Sequence, residues 1–204
     1  TVDFKALLEG YDWLHLSGIT PALSNSCQIL IEAAIYAARQ LGMTISFDCN
    51  YRSMLWSFDE ARDIISRYLP YVDVLIGIEP LHLQDENGHD LKDGMSMQPD
   101  YRIFQAMADR YHFKAIARHV RYTHSSSENS LKAYLYYNGQ TYESKLFRFQ
   151  ILDRVGGGDA FSSGLIYALM NNYKPRDVVN FAVASSVMKH SIHGDTNITD
   201  VESI

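Results

Sequence analysis

The chain has 204 residues, 47% of them apolar and 21% charged, which is enough apolar matter for one substantial core and too mixed for a disordered chain. A net charge of -6 and a pI near 5.7 argue against nucleic acid or an anionic membrane surface as partner. No stretch approaches the roughly 20 apolar residues of a membrane-spanning helix, no signal peptide is visible, and the first residue is Thr1 rather than methionine. The two cysteines, Cys27 and Cys49, lie in apolar surroundings and read as buried, reduced thiols of a cytoplasmic protein. A single domain over residues 1–204 is the expectation from length.

In chain order, Tyr11 to Leu16 is short, apolar and aromatic, and reads as a strand. Gln28 to Leu41 has apolar residues at helical spacing (Ile31, Ala34, Ile35, Ala38, Leu41) and stops at Gly42. Met43 to Phe47 is a second strand, and Asp59 to Leu69 a helix capped near Ser57 and stopped by Pro70. Val72 to Ile78 has the continuous hydrophobicity of a strand covered on both faces. Strand alternating with helix at this pace predicts βαβ units and an α/β fold with a mainly parallel sheet.

Gly88 to Pro99 reads as a surface loop, Asp100 to Tyr111 as a helix and Phe113 to Val120 as a strand, followed by a polar, Ser-rich turn over Tyr122 to Asn129. Leu131 to Tyr137 and Thr141 to Phe149 flank Asn138-Gly139, a strong hairpin signal. Tyr134, Tyr136, Tyr137 and Tyr142 of that hairpin read as ordinary strand residues. Two helices rich in small residues, Asp159 to Asn171 and Pro175 to Ser191, complete the chain.

The chemistry concentrates at Asp153-Arg154-Val155-Gly156-Gly157-Gly158-Asp159. Consecutive glycines cost about 0.5–1 kcal/mol each inside a regular element, so three before a helix call for a reason. Without side chains they let backbone N–H groups crowd one point, at which the free amides and dipole of the new helix also aim. That is an anion hole, and Asp159 beside it suits a general base. Gly-Gly-Gly-Asp alone also fits a flexible linker with an N-cap aspartate, but Ile151-Leu152 before it and a helix of small residues after it do not. Neither a Walker A loop nor a dinucleotide fingerprint is present.

The stretch from Asp153 to Gly164 resembles the carboxyl-terminal signature of the ribokinase-like (PfkB) carbohydrate kinases, with Arg154 in place of the usual small or threonine residue and Gly157 in place of alanine. The resemblance implies a ribokinase-like three-layer fold with a mainly parallel sheet flanked by helices. Asp159 is then the catalytic base, the amides of Gly156, Gly157 and Gly158 form the anion hole, and ATP with Mg²⁺ is the phosphoryl source. Asp48-Cys49-Asn50-Tyr51-Arg52 follows a strand end, where ligands of open α/β sheets bind. In an extended chain Asp48, Asn50 and Arg52 share a face, and an arginine fork suits a phosphate or carboxylate; an Asx turn with an exposed arginine is the bland alternative. Phe47 to Trp56 resembles a segment of the 2-keto-3-deoxygluconate kinases of that superfamily, which implies Asn50 and Arg52 near the phosphate and Arg52 also near the substrate acid.

Lys189-His190-Ser191-Ile192-His193-Gly194-Asp195 is similar to the segment after the last long helix of the same kinases, and this implies that Asp195 approaches the sugar. His190 and His193 read as a chance i, i+3 pair rather than metal ligands, and no metal-binding side chains are assigned. Glu79 is the sole acidic residue where the family carries Asn-x-x-Glu, and Arg118-His119-Val120-Arg121 replaces a Lys-x-Gly. The implied activity is phosphorylation of a sugar or sugar acid, foremost 2-keto-3-deoxygluconate. Fructose, ribose or a nucleoside as acceptor, and an inactive nucleotide-binding fragment, are the alternatives. The family's amino-terminal strands and lid have no counterpart here, so a homo-oligomer stays open.

Overall fold

Three parallel strands organise the first half of the chain. In the computed structural model, which describes residues 2–81, 83–84, 87–92 and 101–204, the chain divides into two compact units, residues 1–116 and 117–204. In the first, β1 (Trp13–Ser17), β2 (Thr44–Asp48) and β3 (Val74–Ile76) lie side by side, with Phe47 opposite both Leu16 and Leu75. Ile45, Phe47 and Leu75 are wholly buried, as the continuous apolar runs require of strands covered on both faces.

Between these strands run α3 (Asn25–Gln40) and α4 (Phe58–Tyr68), preceded by the short α1 (Phe4–Leu8) and α2 (Ile19–Ala22), which the sequence reading missed. Helix α3 starts where the Ser24 side chain accepts the Cys27 N–H and buries the predicted stripe Ile31, Ala34, Ile35 and Ala38. Helix α4 carries a full capping box between Ser57 and Glu60. At the amino-terminal edge of the sheet the buried Asp73 carboxylate accepts the Ile45 N–H at 2.9 Å and pairs with Arg39 at 3.1 Å and Lys114 at 3.0 Å. Helix α5 (Tyr101–Tyr111) buries Ile103, Phe104 and Met107. The predicted 88–99 loop lies partly outside the described residues, and so does Asp100 at the start of the predicted helix.

Strand β4 (Ala115–Thr123) runs longer than predicted, so the polar turn shrinks to residues 124–127. In the second unit β5 (Glu128–Tyr137) pairs antiparallel with both β6 (Gln140–Glu143) and β7 (Phe147–Gln150). Asn138 and Gly139 take positive φ of 48° and 80°, the two left-handed positions of the hairpin turn that this dipeptide favours. The single strand expected over 141–149 is instead two. Ser144 breaks it: its N–H donates to the Ala133 carbonyl and its hydroxyl accepts the Ala133 N–H, both at 2.9 Å, so a side chain stands in the ladder and the chain turns.

Helices α6 (Gly157–Met170) and α7 (Pro175–Lys189) pack through small residues, and a Cβ on Gly164 would come within 2.8 Å of the Ser185 Cβ. Of the two thiols only Cys49 is buried; burial and the neighbouring Asp48 and Glu79 charges push it well above the ordinary range. Cys27 is half-buried because it falls on the first turn of α3, outside the core stripe. The described residues include no helix long and apolar enough to cross a membrane.

Candidate active site

The glycine run folds into a turn that opens a helix. Gly156 is the N-cap of α6 with φ +78°, a left-handed conformation that only glycine adopts without strain. Gly157 and Gly158 are already helical, so α6 begins two residues earlier than the sequence reading placed it, and Asp159 lies in its first turn. The N–H groups of this turn lack partners within the helix and point along its axis, so they and the dipole favour an anion there.

The three glycines serve different ends. A Cβ on Gly156 would run into the Asp195 carbonyl oxygen and approach the Lys189 Cε to 3.2 Å. On Gly157 it would run into the His190 imidazole, with Nε2 at 3.0 Å and Nδ1 at 3.2 Å. On Gly158 it would meet nothing within 4 Å. Two glycines thus permit close approach of the chain behind them, whereas the third leaves its outer face open beside the exposed Asp159 carboxylate. The first turn of α6 thus combines an unobstructed stretch of main chain with an exposed carboxylate, an arrangement suited to an anion.

A second layer, which the sequence reading quoted without assigning roles, holds the turn. The His190 ring is wholly buried, bonds the Ser186 carbonyl through Nδ1 at 2.6 Å, lies 3.4 Å from an Arg121 guanidinium nitrogen through Nε2, and packs on Phe149. Burial depresses its proton affinity and the nearby Arg121, Lys189 and Arg154 charges add to this, although the Ser186 bond opposes it. His190 is therefore a packed ring whose surroundings disfavour its charged form. The Ser186 hydroxyl donates to the Gly157 carbonyl at 2.7 Å. Asp153 accepts from the Val155 N–H at 3.0 Å and the Gly194 N–H at 2.8 Å, and these two bonds hold its carboxyl below the usual range. Arg154 donates to the Ser126 carbonyl at 2.7 Å and so ties the 124–127 turn to the approach of the glycine run.

Within the second unit, then, Gly156, Gly157, Gly158, Asp159 and Asp195 come together, with Asp195 exposed and its backbone lying against Gly156. Asn50 and Arg52 belong to the first unit, just past β2. There the extended geometry assumed for residues 48–52 does not hold. Asn50 has φ +39° and its N–H donates to the Asp48 carboxylate at 3.0 Å, an Asx turn that breaks the alternation of faces. The Asn50 amide donates to Ser17 at 3.3 Å, and the exposed Arg52 guanidinium donates to its neighbour's carbonyl, that of Tyr51, at 3.1 Å. Both residues stand at the carboxyl-terminal edge of the parallel strands, the edge where such sheets bind ligands. Glu79 lies past β3 at 3.7 Å from the buried Lys92 ammonium, a structural pairing that sequence spacing did not foretell.

An α/β fold in which a glycine-rich turn opens a helix beside an exposed carboxylate is an arrangement suited to an anion. Residues 95–201 match the profile described as pfkB family carbohydrate kinase, and the chain belongs to that family. It is similar to the 2-dehydro-3-deoxygalactonokinase of Haloferax volcanii, with 27% identity over 192 residues, covering 93% of this chain and 55% of that protein. The 2-dehydro-3-deoxygluconokinase of Thermoproteus tenax is 28% identical over 193 residues, covering 94% and 53%. The crystal structure of 2-dehydro-3-deoxygluconokinase from Thermotoga maritima superposes with a TM-score of 0.89 at 32% identity, covering 98% of this chain and 61% of that one. The ribokinase-like α/β fold with its mainly parallel sheet is thus the fold of this chain, which spans about half the length of the curated relatives it matches.

Proposed function

We propose that the protein to which this chain belongs transfers the γ-phosphoryl group of ATP to a hydroxyl of a sugar acid, foremost 2-keto-3-deoxygluconate, its galactonate epimer being a close second. The observation that carries the reading is the open face of Gly158 beside the exposed Asp159 at the start of α6, in a chain of the PfkB family. Asp159 accepts the proton of the attacking hydroxyl. That oxygen forms the new bond to the γ-phosphorus as the bond to the β,γ-bridging oxygen breaks and ADP departs. The main-chain amides of the Gly156–Gly158 turn hold the charge on the transferring group, and their fixed orientation lets them act without reorganisation. Mg²⁺ bound with ATP would supply charge neutralisation to the phosphates.

Asn50 and Arg52 are assigned phosphate recognition, and Arg52 also the substrate carboxylate, for which a guanidinium fork is suited. Asp195 is assigned a sugar hydroxyl. The sugar-acid preference is supported by the names of the relatives and by the solvent-exposed Arg52 fork. Cys27 and Cys49 are unpaired, which suits a cytoplasmic setting. A turnover panel with ATP against 2-keto-3-deoxygluconate, 2-keto-3-deoxygalactonate, fructose, ribose and a nucleoside tests the reading, using protein made from the complete reading frame. Preference for the two acids is expected. Turnover confined to a neutral sugar or nucleoside refutes the acceptor, and ATP binding without turnover of any of them refutes the activity.

A further inference from the structure

Lys189 ends α7 with no exposed surface, and the mechanism above makes no use of it. Burying an ammonium carries a large desolvation cost, and an apolar side chain of similar length would fill the same space without it. Its ammonium donates to two main-chain carbonyls of the turn that follows, Ile192 at 3.0 Å and Gly194 at 2.6 Å. Gly194 is therefore held through both of its main-chain groups, because its N–H goes to the Asp153 carboxylate at 2.8 Å. Gly194 has φ +83°, so the chain reverses there and lays the next carbonyl, that of Asp195, against Gly156. The Lys189 Cε lies 3.2 Å from where a Gly156 Cβ would stand. One buried charge thus connects Asp153, the 192–195 turn and the N-cap of α6.

We propose that Lys189 is a built-in cation of the phosphate-binding turn, a positioning residue that curls residues 192–195 onto Gly156 and adds a full positive charge behind the amino terminus of α6. This rests on the kinase reading for its catalytic consequence, though not for its structural one. The two carbonyls suit a cation, which the lysine supplies from within the chain, while the Asp153 carboxylate holds Gly194 through its N–H. Removing the ammonium leaves the Ile192 and Gly194 carbonyls without their donor, so the 192–195 turn loosens and Gly156 loses its backing.

The test uses protein from the complete reading frame, with Lys189→Met keeping the length of the side chain without its charge and Lys189→Ala leaving a space. Amide exchange is read at 156–159 and 192–195 and compared with β5. Kinetics are read as kcat and the KM for ATP, with ammonium or methylammonium chloride against choline chloride at equal ionic strength. Both variants are expected to exchange faster in those two segments alone, and to lose about tenfold or more in kcat with a raised KM for ATP. Ammonium is expected to restore protection and rate in Lys189→Ala, choline to restore neither, and the wild type to respond to neither. Unchanged exchange, exchange faster throughout the unit, failure of both variants to fold with or without ammonium, or no rescue overturns the proposal. If the wild type phosphorylates no sugar acid, sugar or nucleoside, the kinase reading fails by itself, and exchange with its ammonium rescue still decides the role of Lys189.

Discussion

Replacing Gly157 and Gly158 by alanine one at a time separates a glycine kept for packing from one kept for chemistry. Alanine is favoured over glycine in a helix by up to about 1 kcal/mol, so composition alone predicts that both changes stabilise α6. At Gly157 the new methyl would run into an imidazole held by the Ser186 carbonyl, Arg121 and Phe149, which cannot swing aside. Overpacking of that kind costs about 1–3 kcal/mol, and stretching the bond from Ser186 to the Gly157 carbonyl adds about 1 kcal/mol. After the helical gain, Gly157→Ala should lower the stability by about 1–3 kcal/mol. At Gly158 nothing lies within 4 Å of the added methyl, so the stability should rise by between zero and about 1 kcal/mol. The same methyl stands in the cradle, and blocking one stabilising amide typically costs about 100- to 1,000-fold in kcat. Denaturant unfolding and steady-state kinetics on both variants decide it. Gly158→Ala with kcat and the KM for ATP within about twofold of wild type refutes the cradle, and Gly157→Ala as stable as wild type refutes the His190 lock.

Arg52→Ala should leave the stability within about 0.5 kcal/mol, because the side chain is exposed and, among the described residues, bonds its neighbour's carbonyl, yet weaken both ATP affinity and turnover; titration calorimetry with kinetics reads both. The pH dependence of stability has a defined sign. Burial and the Arg121 and Arg118 charges lower the His119 pKa from 6.5 to about 4, and His190 shifts in the same direction. The unfolded chain therefore binds the extra protons first, so stability is full above pH 6.5 and is lost as the pH falls toward 4. Urea unfolding across that window should show the loss, and His119→Phe, whose ring can keep the contact with Phe161, should flatten part of it.

What could be read from the sequence was local and periodic. Ile31, Ala34, Ile35 and Ala38 announced the buried face of α3, Ser57 its neighbour's cap, and Asn138-Gly139 the hairpin turn, because each depends on spacings of a few residues. The glycine run marked the start of α6 for the same reason. Failures came where a side chain competes with the backbone. Ser144 entered the ladder and split a strand, and Asp48 captured the Asn50 amide and turned a run assumed to be extended. Alternation patterns do not register such exchanges. The second layer was hidden by distance: nothing around Lys189 says that its ammonium ends on Gly194, or that His190 lies under Gly157, until the fold closes the interval.

The account rests on Asp159 taking a proton beside a main-chain phosphate cradle, and Asp159→Asn in protein from the complete reading frame tests it most directly. The amide keeps the shape and exposure of the side chain and removes its basicity, so kcat with 2-keto-3-deoxygluconate should fall about 100- to 10,000-fold while calorimetric ATP affinity changes little. A variant that turns over at the wild-type rate would show that the proton goes elsewhere.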